Sequence, residues 1–251
     1  MKNPMRFFGG AFALMCVLSL MTLVPANAAE MKHMRGKGAD MEMHHIHILM
    51  SHGLEMVAEG SNLAMLAQMN MAPSVDPMTL EHGRNMIKDG KEVIEHAMNG
   101  HEMKAMHKAG HGNDPLMKYT HELGGAMMDV VNALEEMSTK EMSPDMMTMH
   151  HMHMLMNHAL VMATEGSNMM MLGHMGMAKD IDKYSVEHGK MMISDARGLM
   201  KEVMEGKAMT EMHEKGVKPE DNAMMAETHK IGDADMKVID LLEKMPSAGS
   251  M

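Results

Sequence analysis

The sequence contains almost no thiols and almost no aromatic rings. Among its 251 residues there are one cysteine, two tyrosines, three phenylalanines and no tryptophan. The single cysteine, Cys16, lies inside an N-terminal apolar run, so the rest of the chain can form neither a disulfide framework nor a thiolate metal cluster. A folded core must therefore be made of methionine, leucine, isoleucine, valine and alanine side chains.

Several function classes lack their sequence signals. The sequence has no glycine-rich phosphate-binding loop, no nucleophile–base constellation, no C-x-x-C-H motif for covalent haem and no basic cluster typical of a nucleic-acid interface. Its formal charge of −11 instead favours attraction of cations. We therefore predict a protein that is not an enzyme, does not bind nucleic acid and has metal ions as partners.

Residues 1–28 are typical of an export signal. Lys2 and Arg6 precede an apolar run over 7–24, and residues 26–28 (Ala-Asn-Ala) match a small-x-small cleavage site. The alternative, an uncleaved membrane anchor, is disfavoured because the apolar run is marginal at the ~20 residues that a span needs. We expect a periplasmic or secreted mature chain without a membrane span, whose formal charge without the two basic residues is −13.

Methionine and histidine are present in large excess. The chain has 46 methionines and 19 histidines. Methionine fills gaps in ordinary cores, but fixing it costs side-chain entropy and it specifies packing poorly, so packing alone does not account for this number. Thioether sulfur and imidazole nitrogen suit Cu(I) and, by extension, Ag(I), whereas zinc sites seldom use methionine. We therefore predict copper as the bound metal, with Cu(I) preferred over Cu(II).

The chain contains an internal duplication. Residues 43–71 recur as residues 149–177 with seventeen of twenty-nine positions identical, a shift of 106 that becomes 108 after a two-residue insertion in the second copy. Seven histidines of the first copy have a histidine at the equivalent position of the second, which favours them as ligands. The predicted organisation is a flexible segment over 29–39, a first helical unit over 40–138, a linker over 139–142, a second unit over 143–245 and a tail over 246–251.

Capping signals and apolar spacing predict helices throughout. Helix starts are indicated by a capping residue before proline, and helix ends by glycine. These signals lie at Asp76, Asp114 and Ser143 for the starts and at Gly100, Gly110, Gly206 and Gly216 for the ends. They predict helices over 41–70, 77–99, 101–109 and 115–137, and again over 144–176, 183–205, 207–215 and 219–244. Short connections favour an up-and-down four-helix bundle in each copy, with a short third helix.

The candidate metal ligands fall at helical spacing. We expect a row at the edge of the buried face of the first helix, a pair on the second, a compact clip on the third and a pair on the fourth. In that order they are His45, His52, Met56 and Glu59; His82 and Met86; Met103, Met106 and His107; His121 and Met128. The second copy supplies His151, His158, Met162 and Glu165; His188 and Met192; Met209, Met212 and His213; His229 and Met236. Four further histidines are predicted on the opposite, more hydrated side, where they would also accept Cu(II), Ni(II) or Zn(II): His44, His47, His150 and His153.

These positions also have structural alternatives. A histidine at a helix seam is more often a hydrogen-bonded core residue than a ligand, and Met86 or Met128 alone is more often a packing residue. The repeated Glu-Gly-Ser-Asn segment at 59–62 could serve close helix approach through Gly60, and the third-helix clip could be an exposed amphipathic turn. The joint occurrence of methionine and histidine at three- and four-residue spacing favours metal binding over these alternatives.

Methionine and histidine are closely spaced in the segments 43–47, 103–107 and 149–153, each of which begins with Met and ends with His four residues later. In these spacings the chain resembles the Met/His-rich periplasmic proteins of copper and silver handling, a resemblance of composition that extends over most of the chain. The first helix, with a His-His pair followed by Met50 and Met56, is also weakly similar to ferritin-like exported helical bundles. The resemblance implies a role in metal tolerance or delivery. Strong helix caps and apolar stripes additionally predict a folded metal-free state.

Three functions are compatible with these patterns. The first is a soft-metal binding protein for copper buffering, storage, delivery or resistance, with a copper exporter or a cuproenzyme as partner. The second is a redox or electron-transfer metalloprotein, with a di-iron or haem b centre built from Glu59, His52, His82 and His121, although di-iron bundles use a Glu-x-x-His spacing that is missing here. The third is a methionine-rich structural or antioxidant protein without a defined site.

Overall fold

A computed structural model describes residues 28–140 and 146–245 of the chain. These residues form helices and no strand, which confirms the predicted all-α class. The helices are α1 (Ala28–Gln68), α2 (Asp76–Asn99), α3 (His101–Lys108), α4 (Pro115–Met137), α5 (Met147–His174), α6 (Lys179–Glu205), α7 (Lys207–Glu214) and α8 (Ala223–Glu243), with a short 3-10 turn at His111–Asn113. None of the helices in this part of the chain is both long enough and apolar enough to cross a membrane.

The helix boundaries follow the predicted signals closely. Gly100 and Gly206 end α2 and α6, while Gly110 and Gly216 adopt left-handed backbone angles, with φ of 94° and 85°, after α3 and α7. Three helix starts differ from the prediction: α1 begins at Ala28 instead of 41, α6 at Lys179 instead of 183 and α8 at Ala223 instead of 219. Residues 29–39 are thus helical where a flexible segment was expected; they contain no proline, although they include Gly36 and Gly38.

Some predictions fall on residues that the structure does not describe. All of the export signal except its last residue lies before residue 28. The Ser143–Pro144 helix start, part of the linker and the tail over 246–251 also lie outside the described residues.

Four helices form the centre of the molecule. α1 contacts α4 and α5, and α8 likewise contacts α4 and α5, so these helices make a closed ring to which each copy contributes two members. α2 packs outside against α1 and α4, and α6 packs outside against α5 and α8. The sequence predicted a bundle within each copy, whereas this ring combines helices of both.

Contacts between the copies show that equivalent helices run antiparallel. Asn157 on α5 donates to the carbonyl of Ala58 and to Asn62 on α1, while Thr164, further along α5, donates to Glu55. The same opposition between α4 and α8 is shown by a hydrogen bond from Tyr119 Oη to the carbonyl of Leu241 and by ion pairs at the other end of the interface, such as Lys230 to Glu136.

Glycines allow α1 and α2 to approach with their backbones nearly in contact. A Cβ atom added to Gly60 would lie 2.5 Å from the carbonyl oxygen of Gly83, and one added to Gly53 would lie 2.7 Å from that of Gly90. In the second copy, Gly166 on α5 has the same relation to α6. The close approach expected for Gly60 is therefore present, and it removes any space for a larger side chain.

Asp235 on α8 places a carboxyl group inside the core. It is 0% exposed, and neither carboxylate oxygen has a hydrogen-bond partner among the described residues. Burial raises the pKa of this carboxyl well above its usual range. The equivalent residue of the first copy is Met127, which is also buried, so one copy carries an ionisable group where the other carries a thioether.

Substitution of Gly60 by alanine should lower the free energy of unfolding by about 1–3 kcal/mol, because the added methyl group overlaps the α2 backbone. Gly125→Ala is the matched control, since Gly125 is exposed within α4 and an added Cβ meets nothing within 4 Å. It should raise stability by about 0.5–1 kcal/mol through helix propensity. Urea denaturation measures both changes, and a Gly60→Ala protein as stable as the wild type would contradict the close approach.

Substitution of Asp235 by asparagine should remove a stability loss that grows with pH. The unfolded carboxyl ionises above a pKa of about 3.9, whereas the buried one stays protonated to higher pH. The wild type should therefore lose about 1.4 kcal/mol relative to the variant for each pH unit above 4, until the pKa of the folded state is reached. Unfolding measured from pH 4 to 8 tests this. Asp233→Asn, on the exposed side of α8, should show no such trend, and a constant difference for Asp235→Asn would refute the raised pKa.

Candidate metal centres

The predicted ligand row on the first helix faces solvent. His45, His52 and Glu59 are all exposed, and so are His151, His158 and Glu165 on α5. The reason is that α1 is covered on more than one side, by α2 next to Gly60 and by α4 and α5 next to His47 and Ala58. The heptad-spaced row is the strip that these neighbours leave open. The expectation that it points into the bundle or its seam is wrong.

The four histidines predicted on the hydrated side are buried instead. His44 and His47 are 3% and 1% exposed, and His150 and His153 are 1% exposed each. Two of them, His47 and His153, meet the fourth helix of the same copy through Thr120 and Thr228. The sequence pattern predicted them on the hydrated side because it indicated one buried face of α1, the apolar stripe beside α2. The structure shows that α1 has a second buried face.

In the first copy, one of these histidines joins a polar cluster that we call the first node: Met43, His47 and Thr120. His47 Nε2 lies 2.7 Å from Thr120 Oγ1, and that hydroxyl lies 2.7 Å from the Leu116 carbonyl and 3.0 Å from Met43 Sδ. Because the hydroxyl proton is used on the carbonyl, Nε2 is the donor towards Thr120. His47 Nδ1 then carries a buried lone pair, and it has no hydrogen-bond partner among the described residues.

The second copy repeats the histidine–threonine contact, and we call His153, Thr228 and Met149, the equivalent of Met43, the second node. His153 Nε2 lies 2.8 Å from Thr228 Oγ1, which donates to the Met224 carbonyl at 2.8 Å. Met149 is 3% exposed, and Nδ1 of His153 lacks a hydrogen-bond partner in the described parts of the chain. The two copies therefore share a buried histidine–threonine pair, with a methionine at the equivalent position of each.

Both node histidines are held in their neutral form. Burial, followed by the nearby His44, lowers the pKa of His47 to about 3. Burial and His150 lower the pKa of His153 to about 4. Neutral imidazole is the form of histidine that binds metal, so neither site requires loss of a proton at neutral pH.

The donor atoms at the nodes fit a soft cation. Met43 Sδ and His47 Nε2 approach the same hydroxyl oxygen, so thioether and imidazole converge from adjacent turns of α1. Nε2 carries the ring proton in the metal-free protein, so coordination through Nε2 would require that proton to move to Nδ1. No three His, Cys, Asp or Glu side chains converge anywhere in the described residues. A site with more than two ligands there would have to include sulfur from methionine or oxygen from water, and a carboxylate-bridged di-iron set is not brought together within 28–140 and 146–245.

The third-helix clip divides between core and surface. Met103 and Met106 are buried, whereas His107 turns outward and its Nε2 lies 3.0 Å from Nε2 of His121 on α4. In the second copy Met209 is buried and Met212 is half-buried, and His213 Nε2 lies 3.3 Å from His229 Nε2. Burial and His107 lower the pKa of His121. The clip as predicted does not form, but it contributes a histidine to a different pair.

The remaining candidates have packing or surface positions. His82 is exposed, and the ring of His188 stacks on that of Tyr184 with centroids 5.8 Å apart. Met86 and Met192 pack their Cβ atoms close to Gly60 and Gly166. The other thioethers are partly buried at helix contacts, as expected of packing residues: Met56, Met128, Met162 and Met236.

The predicted ligands did not include the two threonines or the two methionines of the nodes, although these methionines begin the Met/His-rich segments 43–47 and 149–153. The Tyr119 ring meets His47 edge-on, with centroids 5.6 Å apart and planes at 82°. A signal for the threonines was available, since the Thr-His dipeptide at 120–121 returns at 228–229. Identity between the copies indicated the site better than hydropathy did.

Comparison with known proteins gives no relative from which a function could be transferred. No protein-family model, no curated protein and no solved structure matches this chain.

The metal-free protein should lose stability between pH 7 and pH 5. His47 and His153 stay neutral when folded but gain a proton when unfolded, below a pKa of about 6.5. Because the folded pKa values are depressed, this protonation favours the unfolded state by about 2 kcal/mol per histidine at pH 5 relative to pH 7. Replacing both histidines by glutamine should reduce the loss of stability between pH 7 and pH 5 by that amount for each histidine.

The matched control for this experiment is the pair of exposed neighbours His45 and His151, replaced by glutamine in the same way. Guanidinium denaturation at several pH values measures all three proteins. If the slope for the His47/His153 variant equals that of the wild type, the node histidines are not held neutral in the fold.

Proposed function

We propose that the protein binds a soft monovalent cation, Cu(I) or Ag(I), at its two interior nodes, and that it buffers, stores or delivers copper outside the cytosol. Each node would offer a thioether and a neutral imidazole from adjacent turns of one helix, and the imidazole would move its proton from Nε2 to Nδ1 so that the Nε2 lone pair coordinates the cation. The observation that carries the proposal is the first node, where Met43 Sδ and His47 Nε2 lie 3.0 Å and 2.7 Å from one hydroxyl oxygen inside the core.

Ligand chemistry supports the choice of metal. Thioether sulfur is a soft ligand that favours Cu(I), and hard cations need oxygen ligands that the nodes supply only through one neutral hydroxyl. Burial excludes water, which stabilises divalent ions far more than monovalent ones. A dry site with neutral ligands therefore selects a singly charged cation over a doubly charged one.

Location and charge support the physiological role. An export signal over 1–28 would place the chain where thiols are oxidised, and thioethers cannot be lost to disulfides there. The formal charge of −11 would raise the local concentration of cations. A duplicated unit gives one node per copy, and the resemblance to Met/His-rich periplasmic copper and silver proteins points in the same direction. A copper exporter or a cuproenzyme would be the exchange partner.

Replacing Met43 and Met149 by leucine should weaken Cu(I) binding at least tenfold, because each node loses its sulfur while its histidine stays. Leucine conserves volume, so stability should change by less than about 1.5 kcal/mol per site. Anaerobic titration of the full chain with Cu(I) against a chromophoric competitor gives the affinity, with Zn(II) and Fe(II) titrated in parallel. We expect two equivalents of Cu(I), one per node.

Met50 and Met156 provide the matched control, since they are fully buried two turns further along the same helices and belong to neither node. Their replacement by leucine should leave Cu(I) affinity unchanged. The proposal fails if both double variants bind Cu(I) as the wild type does, or if both lose affinity equally. It also fails if Fe(II) binds stoichiometrically and gives a visible oxygen adduct while Cu(I) binds weakly.

A further inference from the structure

A pair of histidines lies on the surface where α3 meets α4. His107 Nε2 and His121 Nε2 are 3.0 Å apart, and the ring centroids are 5.1 Å apart. Because the centroids are about 2 Å further apart than the nitrogens, the two Nε2 atoms lie between the rings and face each other. His107 is exposed and His121 half-buried, so water reaches this pair, unlike the interior nodes.

The second copy builds the same pair from α7 and α8. His213 Nε2 and His229 Nε2 are 3.3 Å apart, with centroids 5.4 Å apart. The two-residue insertion of the second copy falls between these histidines, so they are separated by 16 positions where the first pair is separated by 14. The contact is therefore present in both copies although the segment that connects its two members differs.

Both members of the first pair are held by residues fixed in the core. Met103 and Met106 anchor α3 with 2% and 3% exposure, which turns His107 outward. His121 follows Thr120, which is fully buried in the first node. Side chains on anchored helices keep a ligand geometry better than side chains on loops, so the convergence of the two rings is a property of the fold.

The spacing of the nitrogens matches a particular coordination geometry. With metal–nitrogen bonds of about 2.0–2.1 Å, two imidazoles are about 2.9 Å apart at adjacent corners of a square plane and about 3.3 Å apart in a tetrahedron. A linear two-coordinate Cu(I) ion would need about 4 Å. The observed nitrogen separations of 3.0 Å and 3.3 Å lie in this range and do not fit a linear ion. The centroid distances of 5.1 Å and 5.4 Å are closer to the tetrahedral arrangement, about 5.2 Å, than to the square plane, about 4.5 Å.

We propose that these two imidazole pairs are surface sites for a divalent cation of borderline softness, Cu(II), Zn(II) or Ni(II), one in each copy. Without the cation, one neutral ring donates its Nε2 proton to the other. On binding, the donor ring moves that proton to Nδ1, so that both Nε2 lone pairs coordinate the metal and no net proton is lost. Water completes the coordination shell. This class of cation differs from the one assigned to the nodes, and the two proposals stand or fall separately.

Replacing His107 and His213 by glutamine in the full chain should abolish two equivalents of Zn(II) binding, measured by competition with a chromophoric indicator. Replacing His107 alone should abolish one. Cu(II) loaded on the wild type should show nitrogen splitting from two equatorial imidazoles in its electron paramagnetic resonance spectrum, and the double variant should lose it. Cu(I) affinity at the nodes should be the same in all of these proteins.

His96 and His101 are the matched control, since they are exposed on α2 and α3 and have no histidine partner in the second copy. Their replacement by glutamine should leave the Zn(II) stoichiometry intact, and so should the Met43/Met149 leucine variant. Unchanged Zn(II) binding in the His107/His213 variant, or an equal loss in the control, overturns the inference. Circular dichroism of each variant establishes that the helices are retained.

Discussion

Neighbouring helices cover α1 and α5 on nearly every side, and this constraint determines how the rest of the molecule is arranged. In a chain so poor in aromatic residues, each of these long helices contacts three other helices. One of the three is an outer helix, which approaches closely through glycine contacts. From residue 43 to the end of α1, the exposed residues form a strip at heptad spacing that includes His45 and His52. Polar residues elsewhere on α1 are forced inside, where Nε2 of His47 pairs with Thr120 while Nδ1 has no hydrogen-bond partner among the described residues.

Sequence patterns predicted the helices but not the second buried face of α1. The stripe from Ile46 through Val57 to Ala64 is buried, and apolar residues at 3.6-residue spacing indicate such a covered face. The other face carries Ser51 and Ser61, small polar residues that hydropathy cannot distinguish from a hydrated surface. They are buried because the partner helices lie close, and that depends on tertiary contacts absent from local periodicity.

At the candidate sites, local sequence spacing likewise does not show which methionines are ligands and which are core residues. A thioether is both a soft ligand and an apolar core group, so Met103 and Met106 beside His107 looked like a clip although their sulfurs belong to the core. Which atom meets which partner depends on the neighbouring helix, and spacing on one helix does not report it. Comparison of the two copies was more informative, since Thr120 and His121 recur together as Thr228 and His229.

The antiparallel course of α1 and α5 has a consequence for how the two nodes influence each other. Asn157 lies opposite Ala58 and Asn62, so His153, one turn before it, is level with the far part of α1, some 17 residues beyond His47. At 1.5 Å per residue the nodes are about 25 Å apart. Two single charges at that distance repel by less than about 1 kcal/mol at an effective dielectric constant of 20. Cations at the two ends of the molecule would therefore load independently, and occupancy would follow metal concentration gradually, without a threshold.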